Sequence, residues 1–284
     1  MFSEKIITAV KDRPTPFYYY DLDLLRSTLE IISGESRKHN YKIHYAVKAN
    51  SNPKILEIIS SYGIGADCVS WNEIERALQT GFKPSAIVFA GVGKSDREIE
   101  SAIEADILCF NCESLPEIEV INHLSSGKKK ISKIALRINP LIDAHTHKYI
   151  TTGVEDSKFG INTWEIEEII SRLSELNNVR LTGIHFHIGS QITDMGVFRL
   201  LCEKINEIQE FFSSRSIGLS IINAGGGLGI DYRHPDTMPD FKSYFSIFSE
   251  SIKLRDGQEL HFEPGRSVIG QCGSLISRVL YIKQ

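Results

Sequence analysis

The chain has 284 residues, 42% hydrophobic and 24% charged, an ordinary globular composition that excludes a mainly disordered protein. Nine prolines, 21 glycines and five cysteines (Cys68, Cys109, Cys112, Cys202, Cys272) exclude a collagen-like repeat and a disulfide scaffold, so a reducing cytoplasm is the expected location. A formal charge of −4 leaves no electrostatic footprint for nucleic acid, no run approaches the ~20 apolar residues of a membrane span, and the N-terminus lacks a signal-peptide apolar stretch.

In chain order, a helical pattern over Leu22–His39 comes first. Short β-branched runs then alternate with amphipathic segments. Strands are predicted at Ile43–Val47, Gly65–Val69, Ala86–Ala90, Ile107–Phe110, Ile134–Ile138, Leu181–Ile188, Leu219–Asn223 and Glu259–Glu263. Helices are predicted at Asn52–Tyr62, Trp71–Thr80, Ser95–Glu104, Ser114–Leu124, Thr163–Leu176, Met195–Ser213 and Pro239–Leu254, several opened by a capping residue such as Ser70, Ser95, Ser114 or Asp194. Eight strands, each returned by a helix, predict an α/β fold of the (β/α)8 barrel type; a doubly wound open sheet is the structural alternative.

A barrel places its chemistry where strands end and βα loops begin. The strand ends here are unusually polar: HYAVKAN, HFHIGSQ, NAGGGLG and HFEPGR, with a long polar stretch, Asn139–Asn162, after strand five. Period two puts His44, Ala46 and Lys48 on one face, so Lys48 points into the mouth, where desolvation would lower its pKa and make it nucleophilic. His185 and His187 share a face, as metal ligands, ring-stacking groups or satisfied interior histidines. Metal is disfavoured, because metal-dependent hydrolases on this barrel carry their HxH on the first strand. Gly225, Gly226 and Gly227 let backbone N–H groups approach an anion, and Arg266, beside Gly265, offers a fork of donors for phosphate or carboxylate. Glu263 shares the inward face of its strand with His261 and requires a partner, for which a protonated pyridine nitrogen would serve. A lysine for an aldehyde, glycines and arginine for a phosphate, histidine for a ring face and glutamate for a ring nitrogen describe pyridoxal 5′-phosphate.

The segments YAVKAN, GADCVSWNEI, TGVEDSKFGI, HFHIGSQ, NAGGGLGIDY and FEPGRS, in order from Tyr18 to Ser267, resemble the diaminopimelate decarboxylases, of the alanine-racemase-like barrel class. The resemblance implies that Lys48 is the Schiff-base lysine, that His187 stacks on the cofactor and that Ser190, Gly227 and Arg266 attend its phosphate. It also implies that Glu263 pairs with the pyridine nitrogen and that Arg266 lies near substrate. The implied activity is decarboxylation of meso-2,6-diaminopimelate to L-lysine by a homodimer. Decarboxylation of ornithine, lysine or arginine, or cofactor binding without catalysis, are the alternatives. Members of the family continue into a β-domain, so the chain reads as C-terminally truncated. Residues 1–17 would pair with that domain, 18–266 would form the barrel, and 267–284, apolar on both faces, would begin the missing unit, which supplies further substrate contacts.

Overall fold

The structure, a computed structural model, describes residue 8, residues 10–142 and residues 159–284. Most of the polar stretch after strand five, with its HTHKYITTGVEDSK, and nearly half of the expected N-terminal pairing segment, residues 1–7 and 9, lie outside the described residues.

The eight expected strands are all present and close a parallel barrel: β2 (Lys42–Ala46), β3 (Gly65–Cys68), β4 (Ile87–Phe89), β5 (Cys109–Cys112), β6 (Ser132–Arg137), β7 (Val179–His185), β8 (Ile221–Asn223) and β9 (Glu259–Phe262). Closure is made by β2 against β9, with Lys42 opposite His261 and Ile43 opposite Phe262. The connecting helices are α1 (Leu22–Lys38), α2 (Pro53–Ser61), α3 (Trp71–Gln79), α4 (Asp96–Glu104), α5 (Leu115–Gly127), α6 (Ile166–Leu173), α7 (Met195–Ser214) and α8 (Phe241–Ser251). The open-sheet alternative fails at that closing pair.

Capping residues set where the helices start. Ser70, Ser114 and Asp194 accept from the backbone N–H groups of Glu73, Glu117 and Gly196, each satisfying a donor that the first turn leaves free. Apolar stripes on the helices meet the outward faces of the strands. Phe198, Tyr244, Phe248 and Phe262 form one aromatic knot in that layer, with ring centroids of Phe248 and Phe262 4.8 Å apart at an interplanar angle of 86°. The inward faces carry a separate small apolar cluster, Val88, Cys109 and Ala135. Above and below it the interior is polar.

Two departures from the sequence pattern matter for the site. The first strand ends at Ala46, and Val47–Ala49 form a 3₁₀ turn, so Lys48 leaves a tight turn rather than a strand. In β7 a register shift lets Gly183 follow Leu181 across from Ala135 and Ile134, and the displaced Thr182 bonds the Ile134 carbonyl at 3.0 Å.

Outside the barrel, β1 (Phe17–Tyr20) pairs antiparallel with β10 (Gly273–Ile276), with the short helix α9 (Arg266–Ile269) between barrel and ribbon. The partner of Gly273–Ile276 is thus Phe17–Tyr20, at the edge of the expected N-terminal segment. Beyond Ile276 the chain has no regular structure, and Val279, Leu280, Tyr281 and Ile282 are exposed.

Candidate active site

The loops that follow the strands bring Lys48, His187, Ser190, Gly225–Gly227, Glu263, Gly265 and Arg266 to the C-terminal end of the barrel. Lys48 Nζ lies 2.9 Å from Asp67 Oδ2. The Asp67 charge raises the Lys48 pKa against the opposing effect of burial. This corrects the expectation of a lysine depressed by desolvation: the side chain is half-exposed and rests as an ion-paired ammonium. Asp67 is wholly buried; burial and the nearby Glu263 charge push its carboxyl up despite Lys48, and its Oδ1 has no hydrogen-bond partner.

Glu263 is the centre of a buried network. Its Oε1 accepts from Asn223 Nδ2 at 2.7 Å and Asn111 Nδ2 at 3.1 Å, and its Oε2 pairs with His185 Nε2 at 2.9 Å. A carboxylate has about four acceptor sites, so three partners leave one free. Burial alone would raise this carboxyl, but His185 and Lys48 outweigh it and hold Glu263 ionised, well below the usual carboxylate range. His185, open in the sequence to three readings, is thus the interior histidine that serves Glu263, with its Nδ1 unpartnered. The strand ends at His185, so the ring of His187 lies beyond it, half-buried. Burial, then Lys48 and Arg137, lowers the His187 pKa to about 4 and keeps that imidazole neutral.

The glycines act by close approach. A Cβ on Gly225 would stand 2.1 Å from the Phe186 carbonyl oxygen, and one on Gly226 would stand 2.3 Å from that of Glu263. Gly225 and Gly227 have φ of +71° and +114°, where glycine is favoured. Asn223 Oδ1 takes the Gly225 N–H at 2.9 Å, whereas the backbone N–H groups of Gly226, Gly227 and Gly265 donate to no carbonyl among the described residues. Arg266 Nε lies 3.4 Å from Ser190 Oγ, and its guanidinium also donates to the Tyr232 hydroxyl.

These features fit pyridoxal phosphate: an amine beside a carboxylate, an ionised Glu263 with an acceptor site to spare, and unpartnered N–H groups with an arginine across the loops after β8 and β9. Sequence reasoning missed Asp67, Asn111 and Asn223 as partners, although each is a polar residue in an otherwise apolar strand. It also missed Lys94, whose buried ammonium reaches the Gly91 and Asn111 carbonyls at 2.6 and 3.0 Å and Glu117 Oε1 at 2.6 Å. Arg137, paired with Glu113, adds positive charge to the same mouth.

Residues 29–270 match the family model described as the pyridoxal-dependent decarboxylase, pyridoxal binding domain. The chain is 55% identical over 273 residues to the diaminopimelate decarboxylase of Bacteroides thetaiotaomicron, covering 95% of this chain and 71% of that protein. Against the Aquifex aeolicus diaminopimelate decarboxylase the identity is 37%, over 95% of this chain and 63% of the relative. The chain thus spans about two thirds of the length of the curated relatives it matches. Among solved structures, the Helicobacter pylori diaminopimelate decarboxylase complexed with L-lysine superposes with a TM-score of 0.89 at 35% identity, covering 98% of this chain and 70% of that one. A lysine/ornithine decarboxylase from Vibrio vulnificus, at 20% identity and a TM-score of 0.78, shares the fold. Family model, sequence relatives and solved structures agree with the geometry that the barrel end presents, and the chain belongs to the pyridoxal-dependent decarboxylases, within the diaminopimelate decarboxylase family.

Proposed function

We propose that the protein decarboxylates meso-2,6-diaminopimelate to L-lysine and CO2, with pyridoxal phosphate bonded to Lys48. The observation that carries the reading is the Glu263 carboxylate, held as an anion by Asn111, Asn223 and His185 at the base of the mouth that Lys48 enters. The cofactor, when bound, supplies a conjugated electron sink for the electron pair left when CO2 departs.

The chain's own residues do the rest. Three donors on Glu263 weaken its basicity, so a proton on a ring nitrogen facing it stays on that nitrogen, next to a full negative charge. Lys48 stores a proton against Asp67; giving it up leaves a neutral amine able to bond an aldehyde, and Asp67 steadies the ammonium each time the amine is released. Neutral His187 offers a flat face without adding a second cation beside Lys48. The free N–H groups of Gly226, Gly227 and Gly265, with Ser190 and Arg266, hold a phosphate by charge and hydrogen bonding.

Residues 18–266 form the catalytic barrel in this reading, with 1–17 and 267–284 belonging to a second, β-rich unit. The ribbon of Phe17–Tyr20 with Gly273–Ile276 supports that division, although its first strand belongs with the ribbon. The active form is a cytoplasmic homodimer; the exposed Leu275, Val279, Leu280, Tyr281 and Ile282 support an assembly that covers them. The test is CO2 release from meso-diaminopimelate against ornithine, lysine and arginine. A site with paired groups for a distal ammonium-carboxylate centre prefers the first by several orders of magnitude, roughly 10⁴ by analogy with other hydrogen-bonding pockets. Equal turnover of any competitor refutes the substrate assignment.

A further inference from the structure

At the opposite end of the barrel, where the strands begin, a cavity of about 470 Å³ opens between β2, β3, β9, the 3₁₀ turn that precedes β4 and the C-terminal turn of α1. Arg37, Lys42, His44, Tyr62, Glu259 and His261 are among the residues that line it. Two of these histidines are stacked in the barrel interior, ring centroids 5.0 Å apart, and their hydrogen bonds fix both tautomers. His44 Nδ1 lies 3.0 Å from the Ala86 carbonyl, which can only accept, so that nitrogen carries the proton. Burial keeps both rings neutral. His44 Nε2 is therefore bare and accepts from His261 Nδ1–H at 2.8 Å. The proton on His261 Nδ1 leaves its Nε2 as a lone-pair acceptor. That atom is buried in a residue 2% exposed, has no hydrogen-bond partner, and has the carboxylate of Glu259, another acceptor, 3.7 Å away.

A buried acceptor such as His261 Nε2 calls for a donor, and Glu259, partly exposed, is a second acceptor beside it. At the rim, Lys42 Nζ sits 3.1 Å from Glu259 Oε1, and Arg37 uses only its Nε, on the Ser33 carbonyl at 2.8 Å, leaving both terminal nitrogens of the guanidinium without a partner among the described residues. We propose that this cavity is a binding site for a small zwitterion of the amino-acid class, its ammonium donating to His261 Nε2 and Glu259 and its carboxylate meeting Arg37 and Lys42. Gly65 is part of the device: a Cβ there would stand 2.6 Å from His44 Nδ1 and 2.3 Å from the Ala86 oxygen, so only glycine leaves the bond that sets the tautomers. The inference is independent of the decarboxylation reading, because the site shares no residue with the mouth around Lys48.

The experiment uses the full chain labelled with ¹⁵N-histidine and the probe N,N-dimethylglycine, a zwitterion with one N–H donor whose tertiary amine cannot condense with an aldehyde. Betaine, with the same charges and no N–H, is the control. The His261 Nε2 resonance, assigned through loss of the signal in His261→Gln or through its ring-carbon couplings where that variant does not fold, is expected in the unprotonated range. It should move upfield with dimethylglycine and stay in place with betaine, and Arg37→Gln at the rim should weaken the response roughly tenfold or more. A protonated Nε2 in the free protein, an equal response to betaine, or no response to dimethylglycine because water alone fills the cavity, would each overturn the proposal.

Discussion

Exchanging Asn223 for aspartate replaces one donor to Glu263 by an acceptor of the same shape. Asn223 Nδ2 stands 2.7 Å from Glu263 Oε1, while its Oδ1 takes the Gly225 N–H. In Asn223→Asp the second bond survives and the first becomes a contact between two carboxyl oxygens, tolerable only if a proton lies between them. The variant's folded state then binds one proton more than its unfolded state at every pH between the unfolded carboxyl value, about 4, and the raised value of the buried pair. The sign follows: a raised folded pKa gives stability that is complete below the unfolded value and drains as pH rises. The stability gap to the parent should widen by about 1.4 kcal/mol per pH unit, or nearly 3 kcal/mol between pH 5 and 7. Urea unfolding across that range measures it, with the melting temperature as a second readout moving by roughly 2 °C per kcal/mol. Because the side chain keeps its volume, the variant should approach parental stability near pH 4.5, which separates charge from misfolding. A pH–stability curve parallel to the parent's would show that Asn223 does not face an ionised Glu263.

Lys48→Ala should abolish the adduct that borohydride traps with pyridoxal phosphate, and peptide mapping of the parent should place that adduct on Lys48; trapping on another lysine refutes the assignment. Gly65→Ala, with a Cβ 2.3 Å from a backbone carbonyl, should destabilise the fold by roughly 2–4 kcal/mol in urea unfolding, and a loss below 0.5 kcal/mol would contradict the close approach. Without cofactor, the half-buried neutral His187, lowered to about 4, should cost roughly 3 kcal/mol of stability as pH falls from 6.5 towards 4, because the unfolded chain takes up the proton first. His187→Gln should flatten that limb of the pH curve, and an unchanged limb would show that His187 is not its source.

The barrel was legible because eight β-branched runs and their amphipathic partners repeat with a clear period, and caps such as Ser70 and Ser114 mark where helices start. Lys48, Glu263 and the glycine run were legible because they are polar or flexible at strand ends. Their partners were not. Asn111 and Glu263 are 152 residues apart, and His44 and His261 are 217 apart, so no local pattern joins them before the barrel closes. The sign of the Lys48 shift was misread for the same reason, since it depends on a carboxylate one strand away. The short aromatic strand Phe17–Tyr20, behind two prolines, carries too few residues for alternation to show.

Lys94 sets a limit on how the mouth can be redesigned. Its ammonium has three protons and three acceptors, and the side chain is 1% exposed over the Phe89 ring, so the site is chemically saturated. A lysine-directed acylating reagent should therefore pass over it in the folded, cofactor-free protein while reaching the half-exposed Lys48, despite the nearness of both to the same strand ends. Arginine, planar and longer, cannot reproduce three bonds converging on one nitrogen. Because one of those bonds anchors the backbone of Asn111, a library that varies the β4–α4 loop for new substrates has to keep this lysine fixed or lose the aim of the amide on Glu263.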